Sequence, residues 1–396
     1  MRVLLTDANE RATLAAARAL VAAGYQIHVI SHTRLSLAGA SRCVRSHIIG
    51  SEPLRDPVGY AAAVGAAVAG SAAAVLVPVT DPAIEALLEH RGSLPGGIKV
   101  ALPDVASYRA ASDKVALLSR AEAAGLAVPQ SVVLHSPADI AVTIPESWFP
   151  CVVKPHRSVV RDEGHRRKLT VSFVADARSC ERTLSGLPAS AFPVLIQQRV
   201  RGPGEGLFLL RWHGRTVAAF AHRRLREKPP AGGVSVYRES ISLPGELVKA
   251  GERLLDSLNW NGVAMIECKR DERTGRHVVI EVNGRLWGSL QLAIDAGVDF
   301  PVLLVKCLLG EDVPAQKLPY RVGVRSRWFW GDLDHLYLRL RYSPAELQLA
   351  PPFPTRRAAL RQFFSFTPRR DRCEVWRWRD PGPFVVETLR WMRLIR

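Results

Sequence analysis

The chain has 396 residues, 47% hydrophobic and 23% charged, which is ordinary for a soluble globular protein and enough for a sizeable core spread over two or three domains. No apolar run approaches the roughly 18 residues of a membrane span, and Met1-Arg-Val-Leu-Leu-Thr-Asp7 meets an acid before a signal-peptide core can form, so a cytoplasmic protein is expected. The net charge of +17 is the outlier and is uneven: from Leu318 onward there are 16 Arg and no Lys against 7 Asp or Glu, which argues against a nucleic-acid coat over the whole molecule.

No RNP-type aromatic strand, Cys₂His₂ spacing or recognition-helix motif is present, so nucleic acid is not an expected partner. The six cysteines are scattered without CxxC or metal-ligand spacing and read as buried free thiols in a reducing compartment.

In chain order, Arg2 to Thr6 reads as a strand, Glu10 to Ala23 as an Ala-rich helix closed by Gly24, and Gln26 to Ile30 as the next strand. That βαβ opening implies a parallel sheet. Its first turn, Thr6-Asp-Ala-Asn9, holds no glycine, whereas a dinucleotide site needs glycines there for close backbone approach to the pyrophosphate. A second unit follows, with a helix near Tyr60 to Ala69, a strand Ala74 to Pro78, and Thr80-Asp-Pro82 opening another helix. Asp81, at a strand's carboxyl end, reads equally as a ligand contact or an N-cap.

Pro103 to Ala111 reads as a connection, and Ser112 as the N-cap of a helix from Asp113 to Ala124, with Gly125 and Pro129 beyond. Strands are expected at Val132 to Leu134, Cys151 to Lys154, and Leu195 to Val200, the last running into Gly202-Pro-Gly-Glu-Gly206.

Gly262 to Lys269 and Val278 to Asn283 flank the polar turn Asp271 to Arg276 and read as an antiparallel hairpin. Centred on Thr274, the loop sets Glu267 opposite Glu281, where like charges repel. Alternation puts Glu281, Asn283 and Arg285 on that same face. Two carboxylates and an amide converging on one spot suit a hard divalent cation with oxygen ligands. Ser289 can cap a helix to Ala296, and Pro301 to Leu309 forms a further short one.

The order of these features resembles the ATP-grasp superfamily, in its carboxylate–amine ligase and biotin-carboxylase-like branches, over roughly residues 1 to 315. The resemblance makes Lys114 and Lys154 the phosphate-contacting lysines. It places adenine on the strand bearing Gln197, Gln198 and Val200, through backbone groups of the last two, and ribose on Glu205. It sets His222 and Arg224 near the transferred phosphate, makes Glu267, Glu281 and Asn283 the ligands of Mg²⁺ (or Mn²⁺), and lets Arg285 steady an acyl-phosphate.

The implied fold is α/β: a parallel-sheet pre-ATP-grasp domain (residues 1–105), a two-lobed α+β ATP-grasp module (106–316) and a basic Arg/Trp-containing C-terminal extension (317–396). The implied activity is an ATP- and Mg²⁺-dependent ligase that activates a carboxylate as an acyl-phosphate and joins it to an amine or similar nucleophile. A biotin-type or carbamate-forming carboxylase, and a non-catalytic nucleotide-binding or membrane-surface scaffold, are the alternatives.

Two features depart from the family. The segment after Lys154, residues 156–168, has one glycine and carries Arg157, Arg161, Arg166 and Arg167, so it reads as a basic lid or as a site for an acidic second substrate. The final stretch Phe384 to Arg396 has Glu387, Arg390, Arg393 and Arg396 every third residue against an apolar side. Residues 380–396 therefore suit an anionic membrane surface, a partner subunit or the protein's own body.

Overall fold

The computed structural model describes residues 1–141, 144–162, 165–314, 320–349, 353–367 and 370–395. The fold class is α/β, as the sequence implies. Strands β1 (Arg2–Leu5), β2 (Gln26–Ser31), β3 (Val44–Ile49), β4 (Val75–Val77) and β5 (Lys99–Val100) form a parallel sheet in the order β3-β2-β1-β4-β5. Helices α1 (Arg11–Ala22), α2 (Pro57–Ser71) and α3 (Asp81–Glu89) make the crossovers. At the glycine-free first turn, Asp7 adopts φ +56° and accepts from the amides of Val79 (3.3 Å) and Thr80 (3.1 Å). A half-buried acid there ties β1 to the end of β4.

The connection expected over Pro103 to Ala111 is instead a helix, α4 (Val105–Ser112). Asp104 caps it by accepting from Ala106 N (2.8 Å) and Ser107 N (3.3 Å), while Tyr108 and Ala111 enter the core. The cap of α5 (Lys114–Ala123) moves accordingly from Ser112 to Asp113, which accepts from Val115 N at 3.0 Å and Ala116 N at 3.1 Å. Ser112 turns its hydroxyl back to Arg109 O. Thr80, not Asp81, caps α3.

A small antiparallel sheet, in the order β10-β7-β11-β6, is built from β6 (Ser131–Leu134), β7 (Cys151–Pro155), β10 (Ser172–Val174) and β11 (Val194–Gln198). The two-stranded β8 (Val159–Asp162) and β9 (His165–Lys168) stand apart from it, and α6 (Ala177–Ser185) packs behind it.

The large sheet runs β16-β15-β12-β13-β14-β17-β18, from β12 (Gly204–Trp212), β13 (Arg215–Lys228), β14 (Val234–Ser240), β15 (Gly262–Arg270), β16 (His277–Asn283), β17 (Arg325–Arg327) and β18 (Asp371–Cys373). Helices α7 (Gly245–Ser257), α8 (Leu290–Ala296) and α9 (Phe300–Leu308) cover it; Ser289 stands at the start of α8 without a side-chain cap. The Ala-rich face of α1 packs on α8 and α9, and one apolar core runs from Val3 and Leu5 through Ala15 and Ala16 to Phe208, Trp287 and Phe300.

Residues from 320 on do not trail from this body. Strands β17 and β18 lengthen the large sheet, and α10 (Phe329–Arg341) packs on β13 and on α11 (Arg356–Phe364). Helix α12 (Gly382–Trp391) does not stand off from the protein's own body, one of the three settings the sequence left open for residues 380–396. Instead Glu387 accepts from Trp328 Nε1 at 2.8 Å, Arg390 donates to Thr33 Oγ1 at 3.1 Å, and Trp391 stacks on Trp330 with centroids 4.4 Å apart. Asp380 accepts from Ser41 (2.6 Å) and Arg18 (2.9 Å), tying the segment to the N-terminal domain. Among the described residues no helix is long and apolar enough to cross a membrane.

Candidate active site

The small and large sheets face each other across a cavity of about 850 Å³. Period-2 alternation on β7 sends Cys151 and Val153 into the core behind the sheet and leaves Val152 and Lys154 facing the cavity. On the large sheet one row crosses four strands: His222 (β13) pairs with Gly206 (β12), Gly206 with Glu267 (β15), and Glu267 with Glu281 (β16). The expected Glu267–Glu281 pairing is therefore present, although a bulge follows at Glu267/Cys268.

Gly206 keeps the row open. A Cβ built there would come within 2.7 Å of the Phe208 ring and 3.2 Å of His222 Nε2. Gly204 does the same one pleat away, where a Cβ would meet the Arg224 side chain at 2.8 Å. Arg224 thus passes over β12 to donate to Glu267 (2.6 Å) and Glu227 (2.9 Å).

The charges are mutually tuned. Burial pushes the Lys154 ammonium down to about 8, although Glu281 and Glu267 pull it back up. Among the described residues it has no hydrogen-bond partner, and it opens onto the cavity. Lys114 donates to Ser158 Oγ at 3.3 Å and bears on Glu281 from behind. Burial and the neighbouring Glu281 raise Glu267 above the ordinary carboxylate range against the pull of Arg224. Glu281 is equally buried, but Lys114, Asn283, Lys154 and Arg285 outweigh that burial and hold it low. Asn283 Nδ2 donates to Glu281 at 2.9 Å. His222 is 1% exposed, and burial with Arg224 and Arg238 nearby depresses it well below 6.5, so its ring is neutral at pH 7. Neither ring nitrogen has a partner among the described residues.

One sequence assignment needs correction. Glu205, expected at the ribose, points the other way: alternation groups it with Leu207 and Leu209 on the far face of β12, where it is 3% exposed and its carboxylate lies 2.8 Å from His277 Nε2. Gln198, expected to meet adenine through a backbone group, donates its amide to Gln130 O at 2.9 Å, because β11 remains paired with β6 to that point, so its carbonyl is the group it would offer. Gln197 is buried and donates to Ser131 Oγ (3.0 Å), and Val200 lines the cavity beyond it.

Arg285 reaches the cavity, but its Nε donates to Asp81 at 2.7 Å. Asp81 thus turns out to be an anchor for the hairpin rather than a cap, and the Tyr108 hydroxyl donates to the same carboxylate at 3.3 Å.

Glu227 and Lys269 also line the cavity and were missed. Lys269 follows Met265 and Glu267 on the same pleat, so its signal was present in the sequence. Glu227 was hidden because β13 breaks register twice after Arg224, which turns Glu227 inward and sends Arg226 out to Asp332 (2.6 Å).

A sequence profile described as ATP-grasp in the biosynthetic pathway with Ter operon matches residues 192–329. No curated protein sequence matches the chain. Among solved structures, the L-amino acid ligase from Bacillus licheniformis aligns with TM-score 0.60 and 17% identity over 82% of this chain and 78% of its own. N5-carboxyaminoimidazole synthetase from Staphylococcus aureus gives 0.59, 11%, 82% and 80%. The biotin carboxylase–βγ-ATP complex from Campylobacter jejuni gives 0.61, 15%, 82% and 74%. The chain shares the fold of these enzymes, two lobes around one cavity, and its residues 192–329, which match the ATP-grasp profile, carry the strands of the His222–Glu281 row.

Proposed function

We propose that the chain is an ATP-dependent ligase that activates a small carboxylic acid as its acyl-phosphate and passes the acyl group to an amine or similar nucleophile. The observation carrying this reading is the convergence of one buried lysine without a partner among the described residues (Lys154), the carboxylate pair Glu267/Glu281 and the guanidinium of Arg224 on one cavity of nucleotide size. ATP brings about four negative charges. Lys154 and Arg224, which line the cavity, offset the phosphates, with Lys114 behind them on Ser158, while Val152, Val200 and Leu349 offer an apolar end for the base.

The donor set fits Mg²⁺: Glu267 and Glu281 are cross-strand partners, raised and lowered in pKa as two carboxylates sharing a site are, and Asn283 adds an amide oxygen. Those three residues would hold the ion, which supplies neutralisation of phosphate charge.

In the reaction a carboxylate oxygen of the acid attacks the γ-phosphorus, the bond to the β–γ bridging oxygen breaks, and ADP leaves. The nucleophile then attacks the acyl carbon and expels phosphate. The protein's part is positioning and fixed charge rather than a covalent intermediate on a side chain. Arg285, anchored by Asp81, presents its remaining N–H groups on the side where the acid would lie.

Glu281→Gln tests the reading: phosphate release from ATP, screened over arrays of carboxylic acids and amines, should fall at least 100-fold without loss of thermal stability. Unchanged turnover would overturn the metal and phosphate assignment.

A further inference from the structure

Beyond the nucleotide cavity lies a second one, of about 560 Å³, between the N-terminal domain and the β8–β9 hairpin. Its walls are α3, α4 and the segment that replaces the glycine-rich lid of the family. Four arginines line it: Arg109 from α4, and Arg157, Arg161 and Arg166 from the segment. Among the described residues, Glu85 and Glu89 are the acids that oppose them there. Glu89 is taken by Arg161 and Arg166, which pair with it across the gap and hold the hairpin against α3.

The arginines keep unused capacity. The Arg166 side chain is 6% exposed, yet among the described residues its Nη1 has no partner, and neither does the buried Nε of Arg157. A desolvated guanidinium with an idle donor is costly unless an anion completes it. Burial lifts Glu85 to about 7 even beside Arg166 and Arg157, so part of the opposing charge is itself weakened near neutrality. The cavity is therefore a net-positive, partly dry space with bidentate donors, the arrangement that carboxylates and phosphates select.

Its position bears on the reaction. Tyr108 lines this cavity and bonds to Asp81, and Asp81 holds Arg285 in the nucleotide cavity, so one hydrogen-bonded bridge separates the two.

We propose that this second cavity is an anion site of its own, binding a carboxylate or phosphate group through Arg157 and Arg166 on the far side of the Tyr108–Asp81–Arg285 bridge from the nucleotide cavity. It stands independently of the ligase reading, and so does its test.

The full-length protein is titrated calorimetrically at pH 8, where Glu85 is ionised, with inorganic phosphate and separately with succinate. Saturable binding of at least one is expected, and whichever binds identifies the preferred group. The double variant Arg157→Gln/Arg166→Gln should weaken it tenfold or more; because Arg166 also pairs with Glu89, Glu89→Gln, which breaks that pair and keeps both arginines, should not weaken it. Glu85→Gln should tighten it at least threefold, a gain that misfolding cannot produce. No saturable binding of either anion, undiminished binding in the double variant, or no tightening in Glu85→Gln overturns the proposal. Since no ATP turnover is read, failure of the Glu281→Gln test would remove the ligase reading and leave this titration standing.

Discussion

Glu205 and His277 lie 2.8 Å apart on the face of the large sheet that turns away from the nucleotide cavity. The acid of the Gly-Pro-Gly-Glu-Gly motif is therefore a structural partner that ties β12 to the start of β16, while the glycines either side of it face the site.

Glu205→Gln separates the two roles. It removes a buried charge partner of His277 and should lower thermal stability, by about 1–3 kcal/mol for a charge-assisted hydrogen bond of this kind. Nucleotide affinity, measured by calorimetry with a non-hydrolysable ATP analogue, should stay within twofold of the parent. A tenfold loss of affinity with unchanged stability would return Glu205 to the ribose.

Gly206→Ala probes the row. The new methyl would meet the Phe208 ring and His222, both fully packed, so one of them must move. Overpacking of this kind costs about 1–3 kcal/mol, and displacement of His222 and Glu267 should cut turnover at least tenfold. Turnover equal to the parent would show that the row has slack it does not show here.

Lys154 sets a pH dependence. Its folded pKa, about 8, lies below the 10.5 of a free lysine. Between those values the unfolded chain keeps the proton that the folded one has released, so this group makes stability rise with pH from 8 to 10.5, by up to about 3 kcal/mol. Below pH 8 both forms carry the proton and the burial cost is fully present. Phosphates should draw the proton back. Nucleotide binding near pH 9, followed by calorimetry in buffers of different ionisation heat, should take up close to one proton per site. Lys154→Met should take up none and should lose the stability gain; equal uptake in both proteins would rule this lysine out as the source.

Much of the site was legible because strand alternation is local. Glu267, Glu281, Asn283 and Arg285 share a face for reasons contained in two short apolar runs and the turn between them, and the bulge after Glu267 falls outside the pairing that matters. Lys154 was legible because a lysine ending an apolar strand must find water or an anion. The same rule, followed one strand further, would have turned Glu205 away from the cavity and Lys269 into it. Glu227 was out of reach, since a bulge costs little locally and is decided by what the neighbouring strands and α10 require.

By itself the chain determined the order of elements, a first turn without the glycines a dinucleotide site uses, and the residue types on which the proposed phosphate chemistry draws. These follow from periodicity and from what each side chain can bond. Only the tertiary structure decided that Arg224 crosses over Gly204 to reach Glu267, that Asp81 anchors Arg285 from another domain, and that the arginines after Lys154 line a cavity with α3 and α4. It also decided that α12 turns Glu387 and Arg390 inward, because Trp328 and Thr33 stand ready to bond them. Each is a contact between residues far apart in sequence, and its energy exists only once the sheets and helices have brought the partners together.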